Sequence, residues 1–352
     1  MNTAVPRTRV CITIDTEFSI GGAFSDPTKQ PVAESQVWCN VNGRSQGLGF
    51  MLDTFRRYDV QATFFVETQQ RHHFKHDPMR PIAQQIHAEG HEVQLHAHPC
   101  WTLFRHQDWR TLANGQKGRD NIGKRSVEEA VELINQGIET FEEWQLPRPL
   151  AFRSGNLHYS DDLYRALGRA GIPYSSNIGV AIHDNGDPNY RLYSGQHERH
   201  GVREFPVLSF SDWKIGSKRN IKSLTIAGSS VTETQHLIEK ARSEGIPLVV
   251  VLTHPFEFVQ NRDLAFQQTR RNALTQGRLT KLCQYLKQHD DRFDACGLVA
   301  AAAALPATDS APNILLNGAL RHALPRMATQ VAYHRVGQWL LARKHGAFKK
   351  VV

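Results

Sequence analysis

Six short strand-like runs recur along the chain: Val10 to Ile14, Ala62 to Val66, Glu92 to Leu95, Ala151 to Phe152, Phe205 to Val207 and Leu248 to Leu252. Helix-like segments separate them. Gly47 to Tyr58, Pro81 to Glu89 and Ser126 to Trp144 read as helices, and the last opens with a capping box in which Glu129 follows Ser126 by three residues. Asp161 to Ala170 is a further helix, stopped at Gly171. Strands alternating with helices imply parallel pairing and an α/β architecture. A chain of 352 residues with 40% apolar content suffices for one barrel-sized core and an appendage.

The chemistry sits where strands end. Asp15 and Glu17 close the first run, and His96 and His98 close the third. Alternate side chains of a strand share a face, so each pair projects together, one offering carboxylates and the other imidazoles. Oxygen and nitrogen donors suit zinc or a similar divalent ion, and three protein ligands leave a position open, the hydrolytic rather than the structural arrangement. The fourth carboxylate or imidazole is then free for proton transfer. Strand C-termini are also where parallel barrels and open α/β sheets carry their sites.

Composition narrows the classes. Five scattered cysteines, Cys11, Cys39, Cys100, Cys283 and Cys296, suggest neither a disulfide framework nor a zinc ribbon. With no apolar segment ahead of the first strand, a reducing cytoplasmic location is the expectation. The longest apolar stretch, Ala295 to Leu305, falls short of the ~20 residues that span a bilayer. Net charge is +8, but seven basic residues and no acidic ones lie from Ser310 onward, which leaves +1 for the first 309 residues. A nucleic-acid partner is therefore not expected, because the body is nearly neutral and carries no DNA- or RNA-binding signature.

Two long loops, Ser19 to Ser45 and Cys100 to Lys124, follow the Asp15/Glu17 and histidine strands and should overhang one mouth. The second carries Trp101, Phe104 and Trp109 with Arg105 and Arg110, suited either to stacking on a sugar ring and contacting an anion or to closing a local hydrophobic cluster. Residues 306–313 read as a linker between a domain of residues 1–305 and a basic amphipathic tail, 314–352. In the tail, Met327, Val331, Ala332, Val336, Trp339 and Leu340 form one stripe, largely opposite Arg326, Gln330, His334, Gln338 and Arg343. Such a helix either packs its stripe on the barrel, the commoner fate, or rests peripherally on the anionic inner face of a membrane.

The ordered set of motifs resembles the polysaccharide deacetylase family of carbohydrate esterases over roughly residues 9 to 300. Thr13-Ile14-Asp15-Thr16-Glu17 is similar to the family's first motif, and Ala62-Thr63-Phe64-Phe65-Val66 to its second strand. Gly90 to Pro99 resembles the histidine motif, Phe152-Arg153-Ser154-Gly155-Asn156 the arginine motif, and Val251-Leu252-Thr253-His254-Pro255 the final strand. The resemblance implies a distorted (β/α) barrel and metal-assisted removal of an N-acetyl group from an amino sugar, with zinc the expected metal. It implies Asp15 as general base, Glu17, His96 and His98 as ligands, Arg153 holding Asp15, and His254 as general acid. Asp212 is the candidate for orienting His254. Trp101, Arg105, Gly155 and Asn156 are the candidate substrate contacts, with backbone N–H groups of Ser154 to Asn156 offered for the oxyanion.

Two departures mark this chain. The family places adjacent aspartates in the first motif, whereas Thr16 stands second here and Glu17 must reach from the next position. It separates its histidines by three residues, whereas only Ala97 intervenes here, and His91 is an alternative ligand. Cys100 is read as a packing residue before a soft ligand, and His72, His73 and His76 as solvated. The expected substrate is an acetylated amino-sugar glycan precursor or a lipid-linked sugar. The rivals are a C–N hydrolase acting on a small amide or formamide, and a catalytically inactive glycan-binding barrel.

Overall fold

A computed structural model describes residues 7–113, 120–215, 218–306 and 312–344. The first strand, β1 (Thr8–Thr16), is the hub of a nine-stranded sheet. It is joined by β2 (Thr63–Glu67), β3 (Glu92–Ala97), β4 (Ala151–Ser154), β5 (Tyr174–Ser175), the hairpin β6 (His197–Arg199) and β7 (Val202–Glu204), then β10 (Leu248–Thr253) and β11 (Phe293–Ala295). The order across the sheet is β10, β1, β2, β3, β4, β5, β7, β6, with β11 also beside β1. Every pairing is parallel except the β6–β7 hairpin. The sheet curls without closing: among the described residues, isolated bridges alone lie beyond β10, Val207 to Val250 and Thr225 to Leu252. This is the distorted (β/α) barrel expected from the motifs.

The helices include the four that periodicity places, Gly47 to Tyr58, Pro81 to Glu89, Ser126 to Trp144 and Asp161 to Ala170, together with ones that the sequence pattern does not single out. They are α1 (Leu48–Tyr58), α2 (Met79–Ala88), α3 (Val127–Glu143), α4 (Asp161–Arg169), α5 (Val231–Ser243) and α6 (Ala273–Gln288), then α7 (Leu298–Ala303) and a terminal α8 (Leu320–Lys344). The Ser126/Glu129 capping box is present at the start of α3, satisfying amide groups that the first turn would otherwise leave orphaned. The run Phe205 to Val207, expected as a strand, is not one. Pairing ends at Glu204, and Val207 makes only a bridge, because Pro206 between them has no N–H to donate.

Strand parity divides the core in two. Val10, Ile12 and Ile14 point outward into the layer shared with the helices. Cys11, Phe65, Ala151, Val250 and Leu252 point inward and meet Leu298, Ala301 and Ala302 of α7, which closes the base of the barrel. Glu92 caps that helix, accepting from the N–H groups of Val299 (3.0 Å) and Ala300 (2.9 Å) at its positive end. Moving up the same inward rows, apolar residues give way to polar ones, and Glu67, His96 and Arg153 stand in register across β2, β3 and β4.

A second sheet of three strands, β9 (Lys218–Ser223), β8 (Ser209–Ile215) and β12 (Leu316–Asn317), packs alongside. Of the expected linker 306–313, residues 307–311 lie outside the described residues. Beyond them Asn313 and Ile314 bond to Tyr193 and Ser194, and α8 lies on the barrel. Its orientation reverses the commoner expectation: Arg326, at 6% exposure, faces inward, while Met327 and Val331 are about half exposed.

Candidate metal and catalytic centre

Inward parity continues past the strand ends, so the alternation that buries Cys11 also aims Asp15 and then Glu17 into the mouth. On β3 the same rule aims His96 and then His98. A single intervening residue is enough for convergence: Glu17 Oε2 lies 3.2 Å from His96 Nε2 and 2.7 Å from His98 Nε2, with the imidazole centroids 5.0 Å apart. His96 Nδ1 donates to the Arg153 carbonyl at 2.9 Å, which leaves its Nε2 lone pair facing Glu17. His98 Nδ1 faces Asp120 Oδ2 at 2.7 Å, a carboxylate behind an imidazole that fixes the ring and raises its basicity. Two imidazole nitrogens and one carboxylate oxygen thus converge, a donor set that a divalent cation would satisfy. The donor atoms of Glu17, His96 and His98 all lie within 4.8 Å of one another, and their chemistry fits a divalent ion of the zinc type.

Electrostatics agrees with the geometry. Burial works to raise Glu17, but His98 and His96 outweigh it and hold the carboxyl well below its usual range. Burial likewise opposes charge on His98, yet Asp120 and Glu17 push its pKa well up.

Two residues that motif reading missed, Glu67 and Asp120, support this triad, as does Gly155 of the arginine motif. Glu67, fully buried at the end of β2, accepts from the backbone N–H of Gln69 at 2.6 Å and from that of His98, so it pins the chain where the second imidazole leaves β3. Burial raises its pKa to about 7 against the pull of His98 and His96. Asp120, in the long loop, binds His98, the Cys100 N–H (3.3 Å) and Asn156 Nδ2 (2.8 Å). Gly155 abuts the His98 ring so closely that a Cβ there would collide with it. Cys100 groups with His98 and Asp120, but burial pushes its thiol well up, which keeps it a neutral packing residue.

The candidate proton-handling groups lie across the mouth. Arg153, fully buried over the Phe65 ring at 4.3 Å, donates from Nη1 to Asp15 Oδ1 (2.8 Å) and Thr13 Oγ1 (2.9 Å). Its Nε and Nη2 are tied to the carbonyl and hydroxyl of Ser176 at 2.9 and 2.8 Å. The free oxygen of Asp15 lies 3.8 Å from His254 Nε2. His254 Nδ1 is 3.2 Å from Glu257 Oε1, and Thr253 Oγ1 holds the other Glu257 oxygen at 2.6 Å. Burial disfavours charge on His254, but Glu257, then Asp15 and Glu17, override it and bring the pKa to about 9.

Asp212 must be corrected. It is not beside His254; it lies in the second sheet as the buried partner of Arg326, whose Nη2 donates to both carboxylate oxygens at 2.9 and 2.8 Å. Glu257 is the carboxylate at His254, and its signal was present in His254-Pro255-Phe256-Glu257, where an acid three residues after a strand end reaches back to the cap. Trp101 is not a stacking platform: it is 1% exposed and packs on Phe104 and Phe74 at 5.5 and 5.9 Å. Arg105 turns away to His72, Gln136 and Glu132. The Ser154 N–H is occupied by Asn177 Oδ1 at 2.8 Å, which removes it from the suggested oxyanion donors. His91 accepts from the Ala62 N–H at the opposite end of β3, so it is no alternative ligand. His72 is half-buried rather than solvated, with its pKa lowered to about 4 by burial and then Arg105. The two long loops do meet over one mouth, through Phe24 against Phe104 (5.5 Å) and Trp109 (6.1 Å).

The sequence profile of the family described as Polysaccharide deacetylase matches residues 42–175, the stretch that runs through the histidine and arginine motifs. Over that stretch the chain carries polysaccharide deacetylase homology. No curated protein sequence matches it significantly. Among solved structures, a Mycobacterium smegmatis protein provisionally assigned as a polysaccharide deacetylase is 16% identical, with 89% of this chain and 97% of that one covered and a TM-score of 0.47. A family 4 carbohydrate esterase from Streptomyces lividans, in complex with acetate, is 11% identical, with 86% and 98% covered and a TM-score of 0.43. A peptidoglycan N-acetylglucosamine deacetylase is 14% identical, with 84% and 89% covered and a TM-score of 0.41. At the level of the family, the homology supports hydrolysis of a carbon–nitrogen bond by a carbohydrate deacetylase.

Proposed function

We propose that this chain is a zinc-dependent de-N-acetylase of an amino sugar in a polysaccharide precursor or glycolipid, working in the cytoplasm. One observation carries the reading: the Glu17, His96 and His98 donor triad shares its mouth with an arginine-held carboxylate and a carboxylate-held imidazole 3.8 Å from each other. Glu17, His96 and His98 would hold the ion, which when bound polarises an amide carbonyl and eases deprotonation of water near neutral pH. Asp15, oriented by Arg153, takes the proton from attacking water at its free oxygen. His254 carries the opposite duty. An amine leaves poorly unless protonated, and Nε2–H is the donor that Glu257 aims from behind through Nδ1. Arg153 is a positioning residue, since all its described bonds go to protein groups.

The test is release of acetate from N-acetylglucosamine oligomers and N-acetylated glycolipids by the zinc-loaded protein. Asp15→Asn and His254→Ala should each lower kcat/KM by roughly 10²- to 10⁴-fold while metal content stays at the wild-type level. Turnover of small amides or formamides with none of acetylated sugars would replace the substrate and keep the machinery. Metal binding with neither activity would make the chain an inactive glycan-binding barrel.

A further inference from the structure

Among the described residues, seven large hydrophobic side chains are exposed, and four of them, Leu320, Leu324, Met327 and Val331, lie on α8. Their spacing of four, three and four residues places them in one row along the helix. Each is between 48 and 63% exposed, and Ala328 and Ala332 broaden the row without adding charge. The row cannot roll inward, because the opposite face is fixed to the barrel. Arg326 is buried between Asp212 and Glu233, Gln330 donates to the Ala227 carbonyl at 2.8 Å, and the Tyr333 hydroxyl accepts from the Ala273 N–H at 2.8 Å.

We propose that this outward face of α8 docks on an anionic lipid surface. Charge selects that occupant. From Ser310 onward the chain has seven arginines and lysines and no acid; Arg326 is paired inward, which leaves six, with exposed Arg321 and Arg335 at either end of the row. An apolar row flanked by cations is the pattern of helices that lie in the plane of a membrane interface, where each cation near an anionic surface adds to the attraction. A second copy of this chain would bring two acid-free basic segments together, and a nucleic acid offers nothing to four exposed aliphatic side chains. Among the described residues no helix is long and apolar enough to cross a membrane, and the contact proposed is a peripheral one. The docked face lies near the reaction centre. A cavity of about 610 Å³ is lined both by Val331, Tyr333 and Arg335 of α8 and by Glu257 behind His254. In purpose the proposal rests on the glycolipid form of the functional reading, since it would bring the mouth to a substrate held at the bilayer.

Co-sedimentation of the full chain with vesicles tests it without any turnover, so its failure and the failure of the deacetylase reading are separate results. The wild type should bind vesicles of equal parts phosphatidylcholine and phosphatidylglycerol at least about tenfold more tightly than phosphatidylcholine alone. Leu324→Glu/Val331→Glu should lose at least about tenfold of that binding while thermal midpoint and metal content stay unchanged. A wild type that ignores the mixed vesicles, or a double variant that binds them equally well, overturns the proposal. So does a dimer in sedimentation velocity that the same variant dissolves, because the row would then belong to a second copy.

Discussion

At His254 the decisive partner is three residues away, and its effect is open to titration. With a pKa of about 9, against 6.5 for an ordinary histidine, the ring stays a proton donor through neutral pH. The alkaline limb of kcat/KM is therefore expected near pH 9, and Glu257→Gln should move it down toward 6.5 with the ring still in place; a pH–rate profile decides. The same shift stabilises the fold. Because the folded pKa lies above the unfolded value, the contribution is complete below pH 6.5 and disappears as pH rises through 9, so Glu257→Gln should cost thermal stability at pH 6 and little above pH 9.5. Gly155 carries a second residue-scale prediction. A methyl group there meets the His98 ring, so Gly155→Ala should weaken zinc affinity by roughly 10- to 100-fold in a competition titration while circular dichroism remains native. Asp15, Glu17, His96 and His98 were legible because each ends or follows a strand whose parity is visible in the sequence, whereas Arg153 and His254 were legible only through the motifs that resemble the family's. Asp120 was not, because only the return of a long loop brings it to His98, and nothing in its neighbours marks that return.

Elements show the same divide. Strands β1, β2, β3, β4 and β10 and helices α1, α3 and α4 announce themselves through alternation, periodicity and caps, since one face of each is committed to the core. The path of α8 was not legible. Its buried face is chosen by a salt-bridge network, Arg326 to Asp212 and Glu233, that outweighs the apolar stripe, and ion pairing between residues more than ninety positions apart leaves no periodic trace. The same network explains the misassignment of Asp212, which looks like a site carboxylate in sequence and is a structural counter-ion in space. Breaking it from one side leaves two buried carboxylates without their cation. Arg326→Ala should therefore destabilise the fold by about 3–5 kcal/mol in urea unfolding. Asp212→Asn should reduce stability without changing the alkaline limb of activity, because it makes no contact with His254 that would transmit the change.

Taken whole, the molecule is a curled sheet whose inward side grades from apolar at the α7-plugged base to charged at the mouth, with a nearly neutral body and a cationic tail on one flank. Gathering Glu17, Glu67, Asp15 and three histidines, some buried and some half-buried, around one opening is costly unless their charges are reconciled there. A bound ion that prefers the folded state should accordingly raise the thermal midpoint, and chelation should lower it reversibly. That coupling rests on the donor triad, so the most direct measurement is the metal content of purified protein after zinc loading, for wild type, Glu17→Ala and His96→Ala/His98→Ala. The account predicts near-stoichiometric zinc in the wild type and its loss from both variants with the fold intact. A wild type that stays metal-free when zinc is supplied, or variants that keep the full complement, would contradict it.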